Sequence, residues 1–401
     1  MKTANGFPAL LASTIADKKF SLRFPEVNCL RGVAILAVVF THLTNETYGS
    51  YVPLFPVGWF AELSGKTALF PLGSFFSNGR VGVNLFFVLS GFVLYLPYTL
   101  QIRKMESLSD GFKFYKQRAL RLLPLFLINA VVGGVWYYCV FPKHPSFLIK
   151  EWLLVVSCCS AFYNFQPVFS FVLWTLVIEI WFSILFVPLC FLIQRYGLAR
   201  ITVLVYIVAL ATRSIGPQIC QVPVDSYFNP ISDSIFGRLD DFLVGMVVAG
   251  IYAKRQSLNF SSRAGCGFVL LGILLVWTGM VLWDATLYLK ISGRFEAFYN
   301  ILYNTGFGVL LWGCICLRSS GKGQAAAFLQ NYPLQLMGMM CYSIYIWHGL
   351  MMEFTEYQEN WVSFWRYIIF TLIVSGVSYR YIEFARTRDW RDLLPKKYSP
   401  A

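Results

Sequence analysis

The sequence predicts an all-α integral membrane protein of about ten transmembrane helices with both termini cytoplasmic. Composition, the spacing of apolar runs and the placement of basic residues each point there. The chain is 57% hydrophobic and only 13% charged. Soluble domains carry about 25% charged residues and cannot hide so much apolar surface from water. Apolar runs recur near 27–44, 81–100, 122–141, 171–193, 200–216, 236–252, 264–283, 298–317, 336–354 and 364–382. A helix needs about 20 apolar residues to cross the hydrocarbon, so most of these qualify, the run at 200–216 being among the shortest. Ten spans bring both ends to one side. That side collects 23 of the 33 basic residues, from Lys2 through the 101–121 connection to the tail between Arg380 and Lys397. Such a bias marks the cytoplasmic face. The net charge of +13 therefore reflects topology, and nucleic acid is not an expected partner.

The whole chain reads as one membrane domain, 1–401, with a cytoplasmic segment at 1–24 and a cytoplasmic tail at 384–401. The first run is longer than a usual signal-peptide core, and no small-x-small cleavage site follows in THLTNETYGS, so it is expected to stay. Between the third and fourth runs, EWLLVVSCCSAF within 142–170 is too short to span and is expected to lie at the interface or to re-enter part-way. The ten cysteines form no CxxC pair and read as small core residues rather than metal ligands or a disulfide framework. No metal is expected.

Chemistry is expected where ionisable groups interrupt apolar helices, because a charge near the bilayer centre costs about 2.5–3.5 kcal/mol on insertion scales. CLRGVAILAVVFTHL, residues 29–43, holds Arg31 and His42. Eleven steps of 100° come to 20° past three turns, so the two share one face, about 16 Å apart along the axis. Glu46, at i+4 from His42, is placed to accept a hydrogen bond from the ring. Arg31 is also readable as a snorkelling residue, and His42 as a satisfied partner of a neighbouring helix. In FYKQRALRLLP, Lys116, Arg118 and Arg121 stand at the cytoplasmic mouth of the third span. The two arginines at i,i+3 form a fork suited to phosphate, or simply a positive-inside loop. Glu179 lies in the apolar SFVLWTLVIEIWFS and serves catalysis or a structural pair with an arginine elsewhere. Arg238 and Asp241 at i,i+3 in GRLDDFLVGM are suited to neutralise each other. His348 lies near the outer end of CYSIYIWHGL, and Glu383 in SYRYIEFARTR has Arg380 or Arg386 as a surface partner.

These stretches, in this order, resemble the membrane acyltransferase 3 family of multi-pass bacterial O-acyltransferases that act on sugars. The resemblance runs from about residue 24 to 386. Arg31 and His42 match the arginine, ten residues, histidine signature of the first helix. GVNLFFVLSGF (82–92), KQRALRLLP, Arg238-x-x-Asp241-Phe-x-x-Gly and YSIYIWH match further phrases. Ile180 and Ser183 depart from the segment that follows Trp174 in the family, and Asp241 stands where Glu is more usual. The resemblance implies transfer of an acyl group, commonly acetyl, from cytoplasmic acyl-coenzyme A to a hydroxyl of a glycan or lipid-linked sugar, in a cell membrane. It implies catalytic roles for His42 as base, with Arg31 and Glu179. Lys116, Arg118 and Arg121 would bind the coenzyme, and Glu46, Trp174, Arg238, Asp241 and His348 the acceptor. No soluble hydrolase-like domain is expected after the last helix. A transporter or flippase of a lipid-linked sugar, in which the buried charges line a pathway, is the rival from another class.

Overall fold

The computed structural model describes residues 24–44, 74–75, 78–141, 145–219, 221, 229–254, 261–288, 296–320, 327–355, 361–387 and 389–395. Among these the chain is helical throughout, in the order α1 (Pro25–Thr44), α2 (Gly82–Thr99), α3 (Leu108–Val140), α4 (Pro145–Val156), α5 (Leu173–Tyr196) and α6 (Leu198–Ile219). Then come α7 (Ile235–Lys254), α8 (Ser262–Tyr288), α9 (Glu296–Ser320), α10 (Tyr332–Met339), α11 (Cys341–Phe354) and α12 (Trp361–Ser378). Helices dominate because a chain in lipid must satisfy its backbone polar groups internally.

Eight helices of the described residues are long and apolar enough to cross a membrane. They correspond to eight of the ten runs read from the sequence, and the short run at 200–216 is among them as the 22-residue α6. The two remaining runs differ for separate reasons. Helix α7 has 20 residues, but it carries Arg238, Asp240 and Asp241 in its first two turns. All three charges are satisfied inside the bundle, and both Asp side chains are fully buried. The run at 336–354 breaks at Met340 into α10 and α11, of 8 and 14 residues, neither long enough to span alone. The stretch expected to lie at the interface forms α4, 12 residues long, followed by a short 3-10 turn.

Helices α1, α2 and α7 contribute side chains to both hydrophobic clusters of the bundle. One cluster adds α3, α5 and α11, the other α8 and α9. Glycine permits the tightest of the central crossings. A Cβ on Gly91 of α2 would sit 1.9 Å from the Phe242 carbonyl oxygen of α7, and one on Gly245 of α7 would sit 1.9 Å from that of Val88. Without hydrophobic drive between helices in lipid, such small-residue contacts let backbones approach and gain dispersion energy. The other end of α1 is pinned by an ion pair, in which buried Glu26 meets Arg318 of α9 at 3.1 Å.

Helix α3 is the longest, at 33 residues, or about 50 Å. It begins well before the apolar run that foretells it. Ser107 and Asp110 form a reciprocal capping box there, which satisfies the first orphan amides. The basic cluster of α3 is therefore helical, and Arg118 and Arg121 project from one face of it.

Candidate functional site

Helix α1 carries the two ionisable groups that organise the site. Arg31 borders two cavities. The first is a vestibule that it shares with Arg121 and Gln335, beside Phe384 and Pro395 near the end of the described chain. The second is an inner cavity lined also by Ser90, Arg118, Arg121, Glu179 and Tyr345. His42 borders a third, outer chamber with Arg80, Trp174, Arg238, Trp283 and Tyr345. Arg31 and Arg121 belong to the walls of both the vestibule and the inner cavity. Val83 and Tyr345 belong to the walls of both the inner cavity and the outer chamber. Three adjoining spaces thus lie between the two ends of α1, and the step from the inner cavity to the outer chamber is walled by Val83 of α2 and Tyr345 of α11 rather than by α1 itself.

Charges in the inner cavity are partly matched. Arg118 donates through Nη2 to Glu179 Oε1 at 2.9 Å and through Nε to Ser183 Oγ at 3.1 Å. Ser90 Oγ donates to the same carboxylate oxygen at 3.4 Å. Arg121 lies 3.5 Å from Glu383 Oε1, whose other oxygen accepts from Ser343 Oγ at 3.1 Å. Three guanidinium groups, those of Arg31, Arg118 and Arg121, therefore line one space with a single carboxylate, Glu179, while Glu383 pairs with Arg121 from outside the lining. The cavity carries a surplus positive charge in a low-dielectric setting, where it attracts an anion more strongly than at a water-exposed surface.

The outer chamber is different in kind. Its charged groups Arg213, Asp233 and Arg238 are paired within the wall or with Asp240 and Asp241 just behind it. Arg213 of α6 grips Asp240 with two bonds, of 2.8 and 2.7 Å, and reaches the Gly237 carbonyl at 2.6 Å. Arg238 pairs with Asp233 and donates to Asn300 Oδ1 at 2.8 Å. Asn84 donates to Asn300 Oδ1 at 2.8 Å and to Asp241 Oδ2 at 3.3 Å. Beside these paired groups the wall presents the rings of Trp174, Trp283, Tyr299 and Tyr303 and the amides of Asn84, Gln166 and Asn300, with Arg80 stacked 3.8 Å from the Trp283 ring. Flat apolar faces beside hydrogen-bonding edges suit a sugar ring.

Each residue read from the sequence can now be placed. Arg31, Arg118, Arg121 and Glu179 meet at the inner cavity, and His42, Trp174 and Arg238 at the outer chamber. Asp241 lies fully buried behind that chamber, 3.7 Å from Arg238. The i,i+3 pair therefore forms, but Asp233 is the closer partner of Arg238. His348 is fully buried, its ring 5.2 Å from that of His42. Lys116 is exposed on α3 and lines none of these three spaces. Glu46 lies outside the described residues. Glu383 is buried and faces Arg121, not the tail arginines, because a π-helical turn over Tyr379–Glu383 follows α12. Such turns shift side-chain direction and recur at functional sites. Sequence reasoning missed Asn84, although a lone amide inside GVNLFFVLSGF is the kind of signal that polar residues in lipid provide. It also missed Arg80, Ser90 and Tyr345.

Fold and site together define a polytopic membrane protein with adjoining polar cavities between Arg31 and His42 of its first helix. The chain belongs to the acyltransferase domain family, which it matches over residues 24–380. It is 25% identical over 391 residues to the O-acetyltransferase OatA of Staphylococcus aureus strain NCTC 8325, and equally to that of strain COL. That alignment covers 92% of this chain but 58% of the relative, so the chain spans somewhat more than half of those proteins. ORF330 of Acidianus two-tailed virus, named as a candidate acetyltransferase, is 27% identical over 338 residues, covering 82% of this chain and 83% of that protein. No solved structure matches the chain.

Proposed function

We propose that this protein is a membrane O-acyltransferase that moves an acyl group, most simply acetyl, from cytoplasmic acyl-coenzyme A to a hydroxyl of a surface polysaccharide, lipopolysaccharide or lipid-linked sugar. One observation carries the reading: the three spaces follow one another from Arg31 to His42, joined by shared wall residues. The excess of basic residues in the loops on the Arg31 side supports a cytoplasmic position for that end. A coenzyme enters the vestibule there, its phosphates meet the surplus positive charge around Arg31 and Arg121, and its thioester arm extends along α1. The acceptor occupies the aromatic chamber around Trp174. His42 lines the acceptor's chamber and takes the hydroxyl proton as the oxygen attacks the thioester carbonyl. Glu179 holds Arg118 in the cavity wall, so its role is to set the field there rather than to touch the reacting atoms. The OatA relatives bear the name of an O-acetyltransferase, which agrees with an acetyl donor and an oxygen acceptor.

Purified protein in nanodiscs, given radiolabelled acetyl-coenzyme A and a membrane glycan fraction, tests this directly. Wild type transfers label to glycan, and His42→Ala does not while keeping its melting temperature. Acyl transfer retained by His42→Ala would remove the histidine from the reaction. Movement of a lipid-linked sugar across the bilayer, with no label transferred, would establish the flippase reading instead.

A further inference from the structure

Beside His42 lies a second buried imidazole whose arrangement is unusual for a core residue. His348 Nδ1 sits 2.6 Å from the backbone carbonyl oxygen of Tyr345, one turn earlier on α11. A carbonyl only accepts, so Nδ1 carries the proton, and in the neutral ring Nε2 is a bare lone pair. That Nε2 is buried without a hydrogen-bond partner among the described residues, and so is Nδ1 of His42. The two ring centroids are 5.2 Å apart at 39°. Phe171 closes the space beside both, 4.9 Å from the His42 ring and 6.1 Å from that of His348. Leaving two buried nitrogens unsatisfied is costly, because each has given up its water without gaining a partner. A modest rotation of the His42 ring, whose χ2 well is broad, turns one nitrogen toward the other and satisfies both.

We propose that His348 is a positioning residue for His42. Its Nε2 accepts the Nδ1–H of His42 and so fixes His42 in the tautomer whose Nε2 is basic and faces the outer chamber. This rests on the reading of His42 as the proton acceptor, and it replaces acceptor binding as the role of His348. In the transfer step the acceptor hydroxyl gives its proton to Nε2 of His42 while the new C–O bond forms and the thioester C–S bond breaks. The departing thiolate then takes that proton back from Nε2 and leaves as coenzyme thiol. Through both stages Nδ1–H stays on His42, and His348 spreads the charge of the transient imidazolium. A carboxylate in place of His348 would do this more strongly. A neutral imidazole does it without adding a fixed charge to a hydrocarbon-buried site, where such a charge is costly.

The test uses the full chain in nanodiscs and three variants: His348→Leu, His348→Gln and His42→Ala. His348→Leu should lower kcat about 10–100-fold, the range for losing a residue that orients an imidazole, with KM for both substrates within about twofold. His348→Gln, whose amide oxygen accepts in place of Nε2, should recover most of that loss. Tyr345 keeps its own bond to Thr175 Oγ1, at 2.9 Å, so the melting temperature should hold. The chain has three histidines, and ring 15N spectra of labelled protein are therefore simple to assign. Wild type should show His42 protonated at Nδ1, and His348→Leu should show a mixture of tautomers. A wild-type rate in His348→Leu beside an inactive His42→Ala would overturn the pairing and leave the catalytic histidine in place. Equal losses in the Leu and Gln variants, with a lowered melting temperature and an unchanged His42 tautomer, would make His348 a packing residue. Activity in His42→Ala would instead remove the parent reading.

Discussion

The two guanidinium groups Arg213 and Arg31 are both sequestered in the bundle and both break apolar helices, yet the fold treats them in opposite ways. Arg213 has Asp240 on two of its nitrogens and a backbone carbonyl on one of them, and it is 3% exposed. Arg31 borders two cavities, and the inner one is lined by three guanidinium groups against the single carboxylate of Glu179. A buried charge that is matched within the chain is part of the scaffold, because removing one partner strands the other. A charge turned toward connected empty space is held ready for something the chain does not supply. The sequence places both in apolar runs. Only the partners tell them apart.

The largest effect expected from this contrast is on Arg213. Arg213→Met strands Asp240 and leaves the α6–α7 contact uncompensated, at a cost of about 3–5 kcal/mol. Thermal unfolding monitored by circular dichroism in detergent should show a clear drop in melting temperature, with little folded protein to assay. Asp240→Asn should do nearly as much. If Arg213→Met unfolds like wild type, the network is not the scaffold argued here, and the comparison fails at its first limb.

Arg31→Met should behave in the reverse sense. Charge-assisted hydrogen bonds are worth about 1.5–3 kcal/mol, so affinity for coenzyme A should fall about 10–150-fold. Its melting temperature should stay level or rise, since a buried charge with no ion pair of its own among the described residues is removed. Calorimetric titration of coenzyme A into both proteins measures the first quantity, and a melting curve the second. A destabilised Arg31→Met with intact coenzyme binding would merge the two arginines into one class.

How much of this was legible beforehand follows from distance along the chain. Arg31 and His42 share one helix, so 100° per residue suffices to put them on one face. The apolar runs are likewise local, and eight became helices fit to span. The break at Met340 is different. PLQLMGMMCYSIYIWHGL carries no proline at that point, and the two short helices arise from packing instead, Gly338 of α10 lying against the Asn28 carbonyl of α1. The partners of the charges were illegible for the same reason. Arg118 and Glu179 are 61 residues apart, and nothing local favours that pair over an arginine on another helix. Glu383 needed knowledge of a π-helical turn that no spacing rule announces.

A smaller effect separates the two arginines on α3. Arg121 pairs with Glu383 at 3.5 Å and is the more exposed partner, its side chain 43% accessible. Arg118 is 12% accessible and holds both Glu179 and Ser183. Arg121→Gln should therefore weaken coenzyme binding by about threefold to tenfold, as befits one partly solvated charge. It should also cost some stability, because buried Glu383 then keeps only Ser343 as a partner among the described residues. That cost should be smaller than the cost of losing Arg118, which holds two groups at once. Arg118→Gln should cost both, because Glu179 then faces Ser90 alone. If Arg121→Gln proves the more destabilising, the matched member of this cavity has been wrongly chosen, and Arg118 becomes the group that meets the donor.

The smallest expected effect concerns how the inner cavity is held in register. Both α3 arginines stand within four turns of the helix start, and the start is fixed by Ser107, whose hydroxyl accepts from the Asp110 amide, while the Asp110 carboxylate accepts from the Ser107 amide at 3.2 Å. Ser107→Ala removes half of that box, at a cost of about 1 kcal/mol. Because the cap is exposed and distant from the buried network, the loss should appear as local fraying. Hydrogen exchange should quicken over the first turn, from Leu108 to Gly111, and leave α6 and α7 unchanged. Coenzyme affinity should fall by no more than about twofold, since Arg118 and Arg121 lie two to three turns beyond the frayed end. A larger loss of affinity, with exchange still confined to that turn, would mean that the donor touches the helix start itself. The cationic wall of the cavity would then extend up α3 as far as exposed Lys113 and Lys116, and the difference between matched and unmatched charge would no longer stop at Arg121.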